Sequence, residues 1–457
     1  MDIFILVVFI LGYAFIALEH NIHIDKAASA LVTGTVCWAL FVLGWHDVPA
    51  HLAEEYHLFA ADHGAGGHGG LAQFFEHRLL HHMEEISSIL FFLMGAMTVE
   101  LVDAHEGFRV FTDRIQTRSK VKMLWIVCIL TFFFSALLDN LTTSIVMVSL
   151  LRKLIDDRQT RWLFAGMVVI AANAGGAWSP IGDVTTTMLW IGGQLTTTTI
   201  IGNLILPSVV CLLVPLVVLS VRLKGEIDRP VPQDEEEWDP TTPFERNLVF
   251  GAGVAGLLFV PVFKTVTHLP PFMGMMLSLG ALWMLTERLH HSKNIEEKAH
   301  LTVIGVLRKI DTASVLFFLG ILLAVASLQE AGHLLLAADW LRTSLNDVYL
   351  IDLAIGLLSA IVDNVPLVAA SMGMYDIIPA AAVTDAWTGM FVQDGIFWQF
   401  LAYCAGTGGS ALIIGSAAGV AVMGLERIDF VWYLKKISLL AVLGYFAGAG
   451  VYLLMFA

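Results

Sequence analysis

"SALLDN", Ser135–Asn140, interrupts one of the most apolar stretches of the chain, and "SAIVDN", Ser359–Asn364, interrupts another 224 residues later. An Asp-Asn pair inside an apolar run is expensive, so its recurrence behind the same small and aliphatic lead-in points to an internal repeat. Two further matches follow in order. "SSILFFL" at Ser87–Leu93 matches "ASVLFFL" at Ala313–Leu319 with an offset of 226, and "GGAWSPIG" at Gly175–Gly182 matches "GGSALIIG" at Gly408–Gly415 with an offset of 233. The chain therefore reads as two structural halves, 1–221 and 248–457, joined by an acidic cytoplasmic linker, 222–247.

The rest of the composition fits that reading. Of 457 residues, 57% are hydrophobic and 14% charged, with a mean hydropathy of +0.77. That leaves too little polar surface for a soluble protein of this length. Twelve apolar segments run from 3–18 to 437–455, most of them long enough to cross a bilayer core of about 30 Å as a helix. The first lacks the basic flank and A-x-A site of a cleaved signal. Cys37, Cys128, Cys211 and Cys404 show no metal or redox spacing and read as packing residues. The net charge of -15 argues against a nucleic acid partner.

Charge orients the halves. The loop before the first Asp-Asn segment carries Arg109, Arg114, Arg118, Lys120 and Lys122, and the loop after it Arg152, Lys153, Arg158 and Arg161. Basic loops stay inside, so segment 123–150 enters and leaves on the cytoplasmic side as a re-entrant hairpin. The second copy, 347–372, has one flanking basic residue, Arg342, and should enter from outside. Arg222, Lys224 and Arg229, then Arg288, Lys293, Lys298, Arg308 and Lys309, mark further inside loops. The expected fold is an all-α polytopic membrane protein with an inverted-topology repeat. Each half has five transmembrane helices and one re-entrant hairpin, with both termini outside, an arrangement typical of secondary transporters.

Segments 162–200 and 396–423 are too long for one plain span and are broken by glycine. Gly175, Gly176, Pro180 and Gly182 cannot share an uninterrupted helix, where glycine costs about 1 kcal/mol and proline about 3 kcal/mol. Each segment should be two half-helices joined at the midplane by unwound backbone, which survives there only beside protein or a water-filled cavity. The groups gathered at the breaks are Asp139, Asn140, Thr142, Thr143, Asn173, Ser179, Asp183, Thr185 and Thr186 from the first half. Asp363, Asn364, Thr407, Ser410 and Ser416 join them from the second. These oxygens suit a hard cation, placed at Asp139, Asn140, Asp183, Asp363 and Asn364. A lone carboxylate at mid-bilayer would take up a proton instead, so cation and proton compete for the aspartates. Alternating access at such a site gives cation/proton antiport.

Region 46–85 holds eight of the sixteen histidines, interleaved with acids, and reads first as a solvated extracellular loop. Within it "EHRLLHHMEE", 76–85, should form a short helix leading into the next span. His77, His81, His82 and Glu84 are candidates for pH sensing. Glu100, Asp103 and Glu330 lie near segment ends and can snorkel, and Lys264 and His268 mark a loop.

"FFLMGAMTVELVD", "SALLDNLTTSIVMVSLLRKL" and "IAANAGGAWSPIGDVTTTMLWIGGQ" together resemble the NhaD-type sodium/proton antiporters of the ion transporter superfamily. The resemblance runs from about Met83 to the C-terminus and is strongest over 123–200. It implies Na+ or Li+ efflux in exchange for H+, a role in pH homeostasis and a homodimer. It also implies a scaffold domain beside a mobile domain that carries the hairpins, with Na+ at Asp139, Asn140, Asp183, Asp363 and Asn364 and with Thr142, Asn173, Thr185, Thr186 and Ser359 at further functional positions. The ions are cargo and no resident cofactor is expected. The membrane is a bacterial inner membrane or a plastid envelope, with the bacterial one preferred. The alternatives are a sodium-coupled dicarboxylate symporter and an arsenite efflux permease of the same superfamily. An enzyme is not expected: no G-x-S-x-G, H-E-x-x-H or G-x-G-D string occurs.

Overall fold

The computed structural model describes residues 2–17, 19–44, 48–63, 68–95, 97–107, 115, 117–228, 241–291, 301–302, 305–306 and 312–457. His46, Asp47, Arg109, Arg114, Arg229, Lys293, Lys298, Arg308, Lys309 and residues 230–240 of the acidic linker lie outside them. So do the side chains of Asp62, His63, His68 and Glu85. The described chain is almost wholly helical. Seven of its helices are long and apolar enough to cross a membrane: Lys26–Gly44, Gly70–Ala104, Lys120–Leu138, Thr197–Arg222, Pro243–Thr267, Thr312–Glu330 and Ser438–Phe456. This is an integral membrane protein.

In chain order the helices begin with α1 (Asp2–Ala17), α2 (Glu19–Ile22), α3 (Lys26–Gly44), α4 (Ala53–His63), α5 (His68–Gly95) and α6 (Met97–Ala104). The first break region holds α7 (Lys120–Leu138), α8 (Asn140–Leu154), α9 (Arg158–Ala177) and α10 (Val184–Ile191), then α11 (Thr197–Arg222). Next come α12 (Pro243–Thr267), α13 (Pro271–Leu289), α14 (Thr312–Glu330) and α15 (His333–Leu345). The second break region holds α16 (Val348–Leu358), α17 (Asn364–Met374), α18 (Ile396–Gly408) and α19 (Ala417–Glu426), and α20 (Phe430–Lys436) and α21 (Ser438–Phe456) close the chain.

Three expectations change. Region 46–85 is largely helical rather than a loop, because α4 and α5 occupy most of it; "EHRLLHHMEE" is part of the single helix α5 and not a separate lead-in. Lys264 lies in the last turn of α12, and His268 caps that helix in a left-handed conformation (φ 59°), so the chain is still helical where a loop was expected. The broken segment expected over 162–200 ends at Ile191, and α11 already starts at Thr197.

The chain divides into two compact units that cut across the two halves. The first comprises 1–93, 311–347 and 369–376, the second 94–310, 348–368 and 377–457. In the first unit α14 packs along α3 at a crossing of small residues. A Cβ on Gly34 would stand 2.5 Å from the Gly320 carbonyl, so only glycine permits this approach. Trp38 Nε1 then donates to the Leu323 carbonyl at 2.9 Å.

In the second unit α9 is the core: every residue from Phe164 to Ala177 is buried. It packs on α7, α8, α18 and α19, while α16 lies on α18 and α21 on α11. Asp157 caps α9 by accepting from the Thr160 N–H at 2.8 Å, and hydrogen bonds from the Thr160 hydroxyl and N–H hold its carboxyl below the usual range. Glu426, buried at the end of α19, accepts from Arg152 Nε and Arg161 Nε at 2.7 Å each, which ties α8 and α9 to α19.

Helices α7 and α8 form a hairpin whose two ends return to one strip of chain. Lys120 N–H donates to the Gly225 carbonyl at 3.2 Å and Ile227 N–H to the Arg118 carbonyl at 2.7 Å, at the start of α7. Asp156 N–H, just past α8, donates to the Asp228 carbonyl at 3.0 Å. Asp139, between the two helices, is the tip.

Candidate ion-binding site

The tip geometry follows from its sequence. Asp139 ends α7 and caps α8 with φ 131°, a conformation that costs a non-glycine residue about 1–3 kcal/mol and persists only where its surroundings enforce it. Here Thr142 enforces it: its N–H reaches Asp139 Oδ1 at 2.8 Å and its hydroxyl reaches Oδ2 at 2.9 Å. At the second tip Asp363 Oδ1 accepts from the Val365 N–H at 3.3 Å, without the positive φ of Asp139.

The breaks in α9–α10 and α18–α19 are two copies of one structure. Ser135 donates to the Ala172 carbonyl at 2.6 Å, and Ser359, its counterpart, to the Ala405 carbonyl at 3.3 Å, which is the counterpart of Ala172. A Cβ on Gly175 would sit 2.2 Å from the Phe132 carbonyl, and one on Gly408 would sit 1.9 Å from the Gly356 carbonyl. Gly176 faces the Gly182 carbonyl as Gly409 faces that of Gly415. The offsets read in the sequence thus reappear as matched contacts within the second unit.

Between the two copies runs a chain of neutral polar groups. Asn140 Nδ2 donates to Asn173 Oδ1 at 3.1 Å, and Asn173 Nδ2 donates to Ser410 Oγ at 2.9 Å and Ser416 Oγ at 3.0 Å. Ser179 donates to the Ala136 carbonyl at 2.5 Å, stitching the first break to its hairpin. Asp183 caps α10 with Oδ1 accepting from the Thr185 N–H at 3.2 Å. Its Oδ2 makes no hydrogen bond, although the residue is only 2% exposed. It faces Gly406, where a Cβ would stand 3.3 Å away. Asp363 and Asp139 lie near enough to Asp183 to repel its charge.

The other expected groups divide. Thr143 Oγ1, Thr186 Oγ1 and Asn364 Nδ2 are buried without a hydrogen-bond partner and are free to turn toward a ligand. Thr407 donates to the Tyr403 carbonyl of its own helix at 2.6 Å, and Ser359 shares its single proton between the Gly356 carbonyl at 2.8 Å and the Ala405 carbonyl at 3.3 Å, so neither hydroxyl proton is left for a ligand. Among the described residues no three His, Cys, Asp or Glu side chains meet closely enough to hold a metal ion. A cation bound here would lean on neutral oxygens beside one carboxylate, which suits a weakly charged hard ion better than a transition metal. The sequence pointed less clearly to Ser135 and Gly406. Ser135 was legible through its repeat partner Ser359, whereas the closeness of Gly406 to Asp183 is a tertiary fact.

The pH-sensing set does not stay together. His77, His81 and Glu84 are exposed on α5, while His82 is buried. Its Nε2 lies 2.7 Å from Glu330 Oε1, and Arg78 forks onto the same carboxylate with Nε at 3.0 Å and Nη2 at 2.6 Å. Glu330 therefore does not snorkel: it is 1% exposed and ion-paired, because the Arg78 guanidinium reaches it from the next helix. Glu330→Gln leaves Arg78 with the half-exposed Glu55 as its counter-charge. It should cost about 2–3 kcal/mol, seen as a lower melting temperature of the detergent-solubilised protein.

A family model described as "Citrate transporter" matches residues 4–392. "Sodium/proton antiporter 1" of Arabidopsis thaliana is 47% identical over 453 residues, covering 99% of this chain and 72% of that protein. "Sodium/proton antiporter 2" of the same plant is 44% identical and covers 97% of each chain. "Na(+)/H(+) antiporter NhaD" of Halomonas elongata is 30% identical, covering 98% of this chain and 87% of its own. With 97% or more of this chain and 72% or more of each relative covered, this chain belongs to the NhaD-type sodium/proton antiporter family, within the wider group that the citrate-transporter model describes.

Proposed function

We propose that the protein exchanges Na+ or Li+ for H+ across its membrane by alternating access, with cation and proton competing for carboxylates at the paired breaks. The observation that carries this reading is Asp183. Its carboxyl is buried in the break, with one oxygen on the α10 N-terminus and the other unpartnered. A buried carboxylate oxygen without a donor needs a cation or a proton, and the helix end favours the charged form in which a cation binds. Asn140, Asn173, Thr186 and Asn364 supply neutral oxygens nearby, with Asp139 and Asp363 as the flanking acids. The relatives' names give the ion pair its identity.

The halves 1–221 and 248–457 are, in this reading, inverted repeats of five crossings and one hairpin each, and the hairpins are re-entrant. The return of both ends of α7–α8 to residues 225–228 supports re-entry, and the matched break contacts support the repeat. A homodimer, a role in pH homeostasis and the absence of any resident cofactor complete the proposal. The relatives come from a plant as well as from bacteria, so the family does not single out the bacterial inner membrane.

The name of the family model favours citrate uptake as a second reading. Physical chemistry opposes it: residues 139–143, 173–186, 359–364 and 407–416 contain three aspartates and no Lys, Arg or His to meet citrate's carboxylates. Arsenite, as a neutral substrate, is less strongly opposed. Proteoliposomes with an entrapped pH dye decide among these readings. Addition of Na+ or Li+ should drive proton flux, and K+, citrate and arsenite should not. Transport of citrate or arsenite without a response to Na+ or Li+ overturns the proposal.

A further inference from the structure

One buried acid in the second unit takes no part in the site above. Asp352, on α16, is 0% exposed, and neither of its carboxyl oxygens has a hydrogen-bond partner. The groups near enough to feel its charge are Cys404 on α18 and Tyr445 and Tyr452 on α21. Tyr445 spends its proton on the Leu353 carbonyl at 3.0 Å and Tyr452 on Gln399 Oε1 at 3.2 Å. Both tyrosine protons are spent elsewhere, and among the described residues no cationic side chain pairs with Asp352, so the packing favours the neutral acid.

Three observations argue against a merely structural acid. First, the position equivalent to Asp352 by the 224-residue offset is Cys128, also fully buried. The fold therefore accepts a small neutral side chain at this place, and the carboxyl is dispensable for packing. Second, Asp352 sits in the helix that ends at the second tip, packed on the broken helix α18, so motion of that hairpin changes its surroundings. Third, a polar track runs inward from Asp394 to Tyr452, which lies near enough to Asp352 to feel its charge. Gln399 Nε2 donates to the Asp394 carbonyl at 2.6 Å, Asn203 Nδ2 donates to Gln399 Oε1 at 2.9 Å, and Tyr452 shares that oxygen. Gln399 and Tyr452 are buried, so the track carries polar groups into the core.

We propose that Asp352 is a second proton-carrying site of the transport cycle, apart from the Asp139, Asp183 and Asp363 cluster. The proposal rests on the antiport reading. The step is a proton transfer only. When α16 parts from α18 and α21, the acid gives one proton to water on one side of the membrane. The carboxylate takes one proton back from the other side before the packing closes again. Each Na+ moved then carries one proton more than the aspartate cluster alone would exchange.

The test measures 22Na+ and proton flux together in proteoliposomes. Asp352→Asn keeps the shape of the neutral acid but holds no exchangeable proton. Asp352→Cys copies the residue of the first half and serves if the Asn variant fails to fold. Both should retain Na+ binding, read as Na+-dependent thermal stabilisation, while the H+/Na+ ratio falls by about half. Infrared difference spectra between protein equilibrated at low and high pH should show a protonated-acid carbonyl stretch in the wild type that either variant lacks. A wild-type flux ratio and an unchanged infrared band in both variants overturn the proposal. A wild-type protein that moves no protons against Na+ fails at an earlier point and overturns the antiport reading with it.

Discussion

Asp183→Asn should leave a folded protein that releases far fewer protons when Na+ is added. Asparagine keeps Oδ1 as the acceptor for the Thr185 N–H, the one hydrogen bond that caps α10, so the break should hold its shape. What is lost is the charge on the unpartnered side of the group. A charge-assisted contact is worth about 1.5–3 kcal/mol, so Na+ affinity should fall by about 10–100-fold. Proton coupling through this carboxyl should be lost, since an amide does not titrate in this pH range, leaving only the share carried by the other acids. Thermal stabilisation by Na+ reads the first effect and the pH dye reads the second. Wild-type values for both in the variant would mean that the cation binds elsewhere in the breaks.

Gly408→Ala should prevent folding. The added Cβ would stand 1.9 Å from the Gly356 carbonyl, and neither atom belongs to a side chain that could turn away. Relief requires α16 and α18 to separate, which would open a core where Cys404, Ala405 and Ser359 are all buried. We expect a loss of more than about 4 kcal/mol, at the extreme of single substitutions. Gly175→Ala should behave alike against the Phe132 carbonyl, because it is the same contact in the other half. Gly280→Ala provides the control. It lies within α13 with nothing inside 4 Å of its new methyl, so it should gain up to about 1 kcal/mol from helix propensity. Size-exclusion profiles and melting curves of the three variants separate a local clash from a general intolerance of substitution.

The membrane class and the location of the breaks were legible in the order of residues alone, because each rests on local chemistry, and the repeat was legible there as an expectation. Apolar length sets which segments can span lipid, and no helix can absorb Gly175, Gly176, Pro180 and Gly182 together. A shared lead-in before Asp139 and Asp363 survives as a matched hydrogen bond from Ser135 and Ser359. Only the tertiary structure decided which polar groups remain available to a ligand. Thr407 and Asn173 read alike in sequence, yet one is spent on its own helix and the other links two breaks across 237 residues of chain. Glu330 looked free to reach the interface until Arg78 was found against it, 252 residues away in sequence. Asp352 carries no motif in its apolar run, and Lys264 reads as a loop residue although its Nζ donates to the Trp190 carbonyl at 2.5 Å. The reason is the same in each case. Local pattern fixes what a backbone segment can do, whereas the state of a buried polar group depends on partners that only folding brings within 3 Å.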